Sequence, residues 1–260
     1  MPSKKVYFGI FVALIFGLMI VSFGAIFIHQ KYPSVDTKGI QFVKNANNLA
    51  STSIKRVALT FDDGPYGTST QKILDILKSE KVHATFFLVG KNVDKFPDIA
   101  REIVANGNLI GNHSYDHSKY LAFMSTSTFE QNLQNGEQAI LKQTGLKPKF
   151  FRPPYGNISP TMQDTLVEQG YTNVMWDIDP RDWDFYNSPA KNIVKKVLSD
   201  TKPNFIIIMH DGRDVQIDYP RDNTIKALPE IIEGLKKQGF EFVTVDKILG
   251  TQPYWENTAK

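Results

Sequence analysis

The chain contains no cysteine, which removes disulfides, thiolate metal sites and a cysteine nucleophile at once. That absence is compatible with an exported protein. Neither charge dominates: 30 Lys+Arg against 27 Asp+Glu leave a formal net charge of +3. No basic block is long enough to build a nucleic-acid groove, so no nucleic-acid partner is expected. No G-x-S-x-G is found, so the nucleophile elbow of an α/β hydrolase is missing. Internal repeats and low-complexity tracts are also lacking. Histidine is scarce, 5 in 260 residues, which gives weight to any two that fall close together.

What is present begins with a long apolar run. Residues 6–28 carry no charge and follow Lys4 and Lys5. At about 1.5 Å rise per residue this run crosses a hydrocarbon core of about 30 Å. The positive-inside rule then makes 1–5 a cytoplasmic tail, 6–28 a transmembrane signal-anchor helix, and everything beyond extracellular. Residues 29–54 are polar and aperiodic and read as a linker. The alternative is secretion after signal-peptide cleavage. The run is longer than the usual signal core, and no clean small-x-small site follows it.

The 42% hydrophobic content suffices for one good-sized core. From about residue 55 the pattern alternates short apolar runs with amphipathic stretches. Strands are expected at 57–61, 85–89, 109–111, 150–151, 173–176, 205–209 and 242–245. Helices are expected at 70–79, 97–106, 128–143, 160–169, 190–200 and 224–238. Gly107, Gly145, Gly170 and Gly239 follow helices as stops. Near-continuous apolar strands between helices argue for a parallel sheet covered on both faces. The expected class is α/β, a distorted (β/α) barrel of about seven parallel strands over 55–250, with 251–260 as a tail; an open doubly wound sheet is the alternative.

The polar residues then fall at the C-terminal ends of strands, where α/β barrels build their sites. Asp62 and Asp63 end the first strand and are followed by Gly64-Pro65. Taken alone this reads equally as an acidic turn. Two adjacent carboxylates at a site mouth have a second reading: one ligates a cation, and the other stays free as a base. His113 and His117 follow the third strand, four apart; on a helical turn both would face one side, and two histidines with a carboxylate are a common zinc set. Two exposed histidines are the plainer reading of that pair by itself. Asn112 and Ser114 flank the first histidine as possible supports. Arg152, in a stiff Arg-Pro-Pro-Tyr-Gly segment, is placed to hold a carboxylate or to form a structural ion pair. Asp179, Asp182 and Trp183 follow the fifth strand. His210 ends the sixth, where a neighbouring acid could keep it protonated.

Together these segments resemble the polysaccharide deacetylase family, the NodB-homology domain of carbohydrate esterase family four. Five motifs occur in order: 60–65, 113–117, 152–156, 179–183 and 208–212. The resemblance implies metal-dependent removal of acetyl groups from N-acetylated sugars. It implies Asp63, His113 and His117 as metal ligands for one divalent ion, zinc with cobalt or nickel as alternatives. Asp62 would be the general base and His210 the general acid, with Arg152 holding the base and Asp182 tuning the acid. The Tyr155 backbone N–H would serve the oxyanion. Tyr155, Trp183, Ile208 and Met209 would border the substrate. A monomer acting on peptidoglycan N-acetylglucosamine at the outer face of the membrane is the expectation. Chitooligosaccharide or poly-N-acetylglucosamine deacetylation, acetylxylan esterase activity, and a silent wall-binding protein on the same fold are the alternatives.

Overall fold

The computed structural model describes residues 54–213 and 221–256. The expected membrane segment and nearly all of the expected linker lie outside the described residues. Among the described residues no helix is long and apolar enough to cross a membrane.

Among the described residues seven strands form one parallel sheet. They are β1 (Lys55–Asp62), β2 (Thr85–Leu88), β3 (Leu109–Asn112), β4 (Phe150–Phe151), β5 (Thr172–Asn173), β6 (Phe205–His210) and β7 (Phe240–Phe242). Their order is β5-β4-β3-β2-β1-β6, with β7 pairing the first residues of β1. Among the described residues eight α-helices accompany them: α1 (Gly67–Glu80), α2 (Gly90–Lys95), α3 (Pro97–Ala105), α4 (Thr126–Thr144), α5 (Pro160–Glu168), α6 (Ala190–Ser199), α7 (Asp222–Lys237) and α8 (Val245–Leu249). The sheet curls into a half-barrel. Beyond β5 the chain meets the far edge at one point, where Ile178 bridges Ile207 and the Ile208 N–H donates to the Ile178 carbonyl at 3.0 Å.

The period of two along each strand sorts side chains between two cores. Val57, Leu59, Phe61, Phe86, Leu88, Phe205, Ile207 and Met209 point outward to the helices, joining Ile73, Leu74, Leu77, Ile193, Leu228 and Ile231. Ala58, Phe87, Leu109, Phe150, Val174 and Ile206 fill the inside, closed below by Val245 of α8. Gly111 makes room there: a Cβ on it would stand 2.6 Å from the Phe87 ring. Thr60 and Asp62, paired in register with Ile208 and His210, continue the inner face upward. The inner row therefore turns from apolar to polar toward the C-terminal ends of the strands.

Three expectations change. The fifth strand is shorter than 173–176, because the Val174 and Met175 carbonyls turn to accept hydrogen bonds from Arg152 at 2.9 and 3.4 Å. The last strand is 240–242 rather than 242–245, since Val245 opens the helix that plugs the barrel. A short helix, α2, stands where none was expected.

Candidate active site and metal centre

The site is built from turns that leave the strands in unusual backbone conformations. Asp63, Ser114, His117 and Tyr155 all have positive φ, at 76°, 68°, 54° and 59°, a costly region for residues with a Cβ and one that recurs at functional sites. The two histidines converge through this looped path and not through a helical turn. The Ser114 hydroxyl accepts a hydrogen bond from the His117 N–H at 3.0 Å. Asn112 is turned away, donating to the Leu133 carbonyl of α4.

Asp63, His113 and His117 are all buried, and each offers one ligand atom within 4.8 Å of the others. The Asp63 Oδ1 lies 3.0 Å from His117 Nε2 and 3.4 Å from His113 Nε2. His113 Nδ1 meets the Arg152 carbonyl at 2.7 Å. The Arg152 carbonyl accepts a hydrogen bond from the Nδ1 N–H and so orients the ring with Nε2, the atom available to a metal, toward the carboxylate. Two imidazole nitrogens and one carboxylate oxygen converging in a buried pocket fit a divalent transition metal. Burial alone would push the Asp63 carboxyl up. Attraction to His117, hydrogen bonds with both histidines and the charge of His210 outweigh it and hold it well below the usual carboxylate range.

Asp62 points a different way from its neighbour. Its Oδ1 accepts from Arg152 Nη1 at 2.7 Å, while Oδ2 stands 3.8 Å from His113 Nε2. Arg152 is fully buried. It also donates to Thr60 Oγ1 and lies 4.0 Å over the Phe87 ring. The Thr60 hydroxyl in turn donates a hydrogen bond to the Ile207 carbonyl, so the guanidinium is anchored to the sheet.

His210 pairs with Asp62 across β1 and β6. Its Nδ1 is 2.7 Å from Asp182 Oδ1, and its backbone N–H donates to Asp182 Oδ2 at 2.9 Å. Burial would lower the imidazole, but Asp182 and then Asp63 raise it to about 9. Burial would raise Asp182, which is instead lowered chiefly by His210.

The remaining candidates divide. Ile208 shares the inner face with His210 and is buried. Met209 is a correction: it is wholly buried on the opposite face, packed with Phe205 and Ile207 in the outer core. An adjacent strand residue cannot share His210's face. The Tyr155 ring lies against His117, centroids 4.8 Å apart, and remains 54% exposed at the rim. Trp183 is also at the surface, its indole N–H donating to Asp179 Oδ2. Asp179 therefore shapes its own loop, also accepting from the Arg181 N–H at 2.7 Å. Arg221 and Thr224 were not expected in the site. Arg221 Nη2 is 3.5 Å from Asp63 Oδ2, and the Thr224 hydroxyl donates to Asp182 Oδ2 at 2.7 Å.

A curled parallel sheet carrying a His-His-Asp cluster that could hold a metal ion, a second restrained carboxylate and an acid-paired histidine at its C-terminal mouth has the layout of an α/β-barrel active site. The family model described as Polysaccharide deacetylase matches residues 50–174. The chain is 38% identical over 197 residues to a peptidoglycan-N-acetylglucosamine deacetylase of Bacillus cereus, covering 75% of this chain and 88% of that one. It is 37% identical over 195 residues to the peptidoglycan-N-acetylmuramic acid deacetylase PdaC of Bacillus subtilis, covering 75% of this chain and 38% of that longer protein. The crystal structure of the Bc1960 peptidoglycan N-acetylglucosamine deacetylase superposes with a TM-score of 0.72 at 36% identity, covering 78% of this chain and 92% of that one. This chain belongs to the polysaccharide deacetylase family.

Proposed function

We propose that the protein is a metal-dependent N-deacetylase that removes acetyl groups from N-acetylglucosamine residues of peptidoglycan. The observation that carries this reading is the split of the two adjacent acids. Asp63 joins the two histidines, while Asp62 is held by Arg152 with one oxygen left toward the same space. Asp63, His113 and His117 would hold a divalent ion, zinc with cobalt or nickel as alternatives, which would supply Lewis acidity toward an acetamide carbonyl and toward water.

The chain's own groups do the rest. Asp62 Oδ2 takes a proton from the attacking water, with Oδ1 fixed by Arg152. His210, on the neighbouring strand, gives its proton to the departing nitrogen as the C–N bond breaks, because an amine anion is a poor leaving group. Asp182 keeps that histidine charged. The backbone N–H of Tyr155 would donate to the oxyanion, and Ile208 and Trp183 would border the acetyl group. The products are acetate and a free amino sugar.

We further place the catalytic domain, 55–250, outside the cell, with 6–28 as its membrane anchor and 29–54 as a tether. The uncharged run behind Lys4 and Lys5 and the wall polymer named for the relatives support this. The complete set of acid, base and ligand residues argues against a silent wall-binding role.

The test is acetate release from peptidoglycan, chitooligosaccharides and acetylated xylan by the purified chain, with metal content measured alongside. Peptidoglycan should release most, and its products should carry glucosamine and intact N-acetylmuramic acid. Free muramic acid would move the sugar assignment. Bound metal with no acetate from any glycan would establish the silent reading.

A further inference from the structure

Asp63 shows its two oxygens to different partners. Oδ1 faces both imidazoles, and Oδ2 faces the Arg221 guanidinium. Arg221 is itself buried, 4% exposed, and its Nε donates to the Gly212 carbonyl. That peptide lies against the metal-bearing turn: the Gly212 N–H reaches the Asp62 carbonyl, and a Cβ on Gly212 would fall 2.4 Å from the Asp63 oxygen. Arg221 is thus fixed at both ends, on a carbonyl beside the turn and on the carboxylate that the turn carries. Thr224, three residues on and at the first turn of α7, binds the Asp182 that holds His210. One end of one helix reaches both halves of the site.

We infer that Arg221 is a positioning residue of the metal centre, holding Asp63 to one oxygen for the ion and keeping a permanent positive charge beside it. A carboxylate with both oxygens free can chelate through both. With Oδ2 engaged by a guanidinium, only Oδ1 is left for the ion. A buried cation at this range is poorly screened, and an arginine cannot shed its proton to relieve it. The same charge draws electron density from the ligating carboxylate. The site therefore trades affinity for Lewis acidity. The rate arm of this inference rests on the deacetylase reading above; the metal-binding arm does not.

The experiment uses the full chain as wild type, Arg221→Met and Arg221→Lys, with zinc alone as the probe in competition against a chromogenic chelator. Metal-free melting temperatures report folding. Arg221→Met should bind zinc about tenfold more tightly through loss of the repelling charge. Its kcat should fall at least about tenfold with KM little changed, as for other residues that orient metal ligands. Arg221→Lys, which restores the charge, should return zinc affinity to near wild type. Zinc binding that is weaker or unchanged in Arg221→Met overturns the inference, as does a rate loss no larger than the loss of folded protein. A wild type that releases no acetate overturns the functional reading and leaves the zinc comparison intact.

Discussion

Arg152 Nη1 lies 2.7 Å from Asp62 Oδ1, with side chains 0% and 3% exposed. A buried pair of this kind contributes little net stability when intact, yet removing one partner strands the other without water. Arg152→Met should therefore cost about 3–5 kcal/mol, read as a loss in urea unfolding of the metal-free protein. Arg152→Lys should keep part of that stability. It should still lose most activity, since a lysine cannot bond Asp62, Thr60 and the Val174 carbonyl together. A methionine variant within about 1 kcal/mol of wild type would refute the argument.

The two acids should separate cleanly. Asp62→Asn keeps the hydrogen-bonding shape beside Arg152 but cannot take a proton. It should bind metal normally and lose about 100-fold or more in kcat, the usual range for a general base. His117→Ala removes an imidazole whose Nε2 lies 3.0 Å from Asp63 Oδ1, and should lose both metal and activity. Metal content and acetate release on the two proteins decide it; equal metal loss in both would sink the division of labour.

Gly212 supplies a test of how tightly the turn is packed. A methyl group there would meet the Asp63 carbonyl oxygen at 2.4 Å and the Gly64 nitrogen at 3.1 Å. Both are backbone atoms and cannot rotate aside. Gly212→Ala should destabilise by about 1–3 kcal/mol, the range for overpacking, and should weaken zinc binding by moving Asp63. A calorimetric melt and a zinc titration together check this, and unchanged zinc affinity would show that the turn yields elsewhere.

Much of this site was legible because its residue types are rare or costly where they stand. Histidines at strand ends and paired acids before Gly-Pro demand a chemical reason, and alternating strands and helices placed them on one rim. Arg221 and Thr224 were not legible. Their helix starts at Asp222, two residues earlier than the apolar period alone indicates, and its docking is set by Ala227, Leu228 and Ile231 packing into the outer core. Met209 was readable and misassigned: a period of two separates it from His210. Residues 174–175 looked like strand because Val174 is apolar, but their carbonyls serve a buried guanidinium, a long-range demand that no local pattern carries.

The pH dependence follows from His210, whose imidazole is raised to about 9 by Asp182 and Asp63 against the effect of burial. A histidine whose folded pKa exceeds its unfolded value of about 6.5 stabilises the fold fully below that value. The contribution is then lost as pH rises toward 9. Metal-free protein should accordingly lose stability between about pH 6.5 and 9 through this pair. Asp182→Asn removes the charge that raises the imidazole, so burial prevails and the histidine loses its proton at lower pH. In kcat/KM the alkaline limb reports the acid that must be protonated. It should move by about one to two pH units toward neutrality in Asp182→Asn, with the acidic limb nearly in place. An alkaline limb unmoved in that variant would mean that His210 is not the proton donor, and that the group titrating there lies elsewhere in the site.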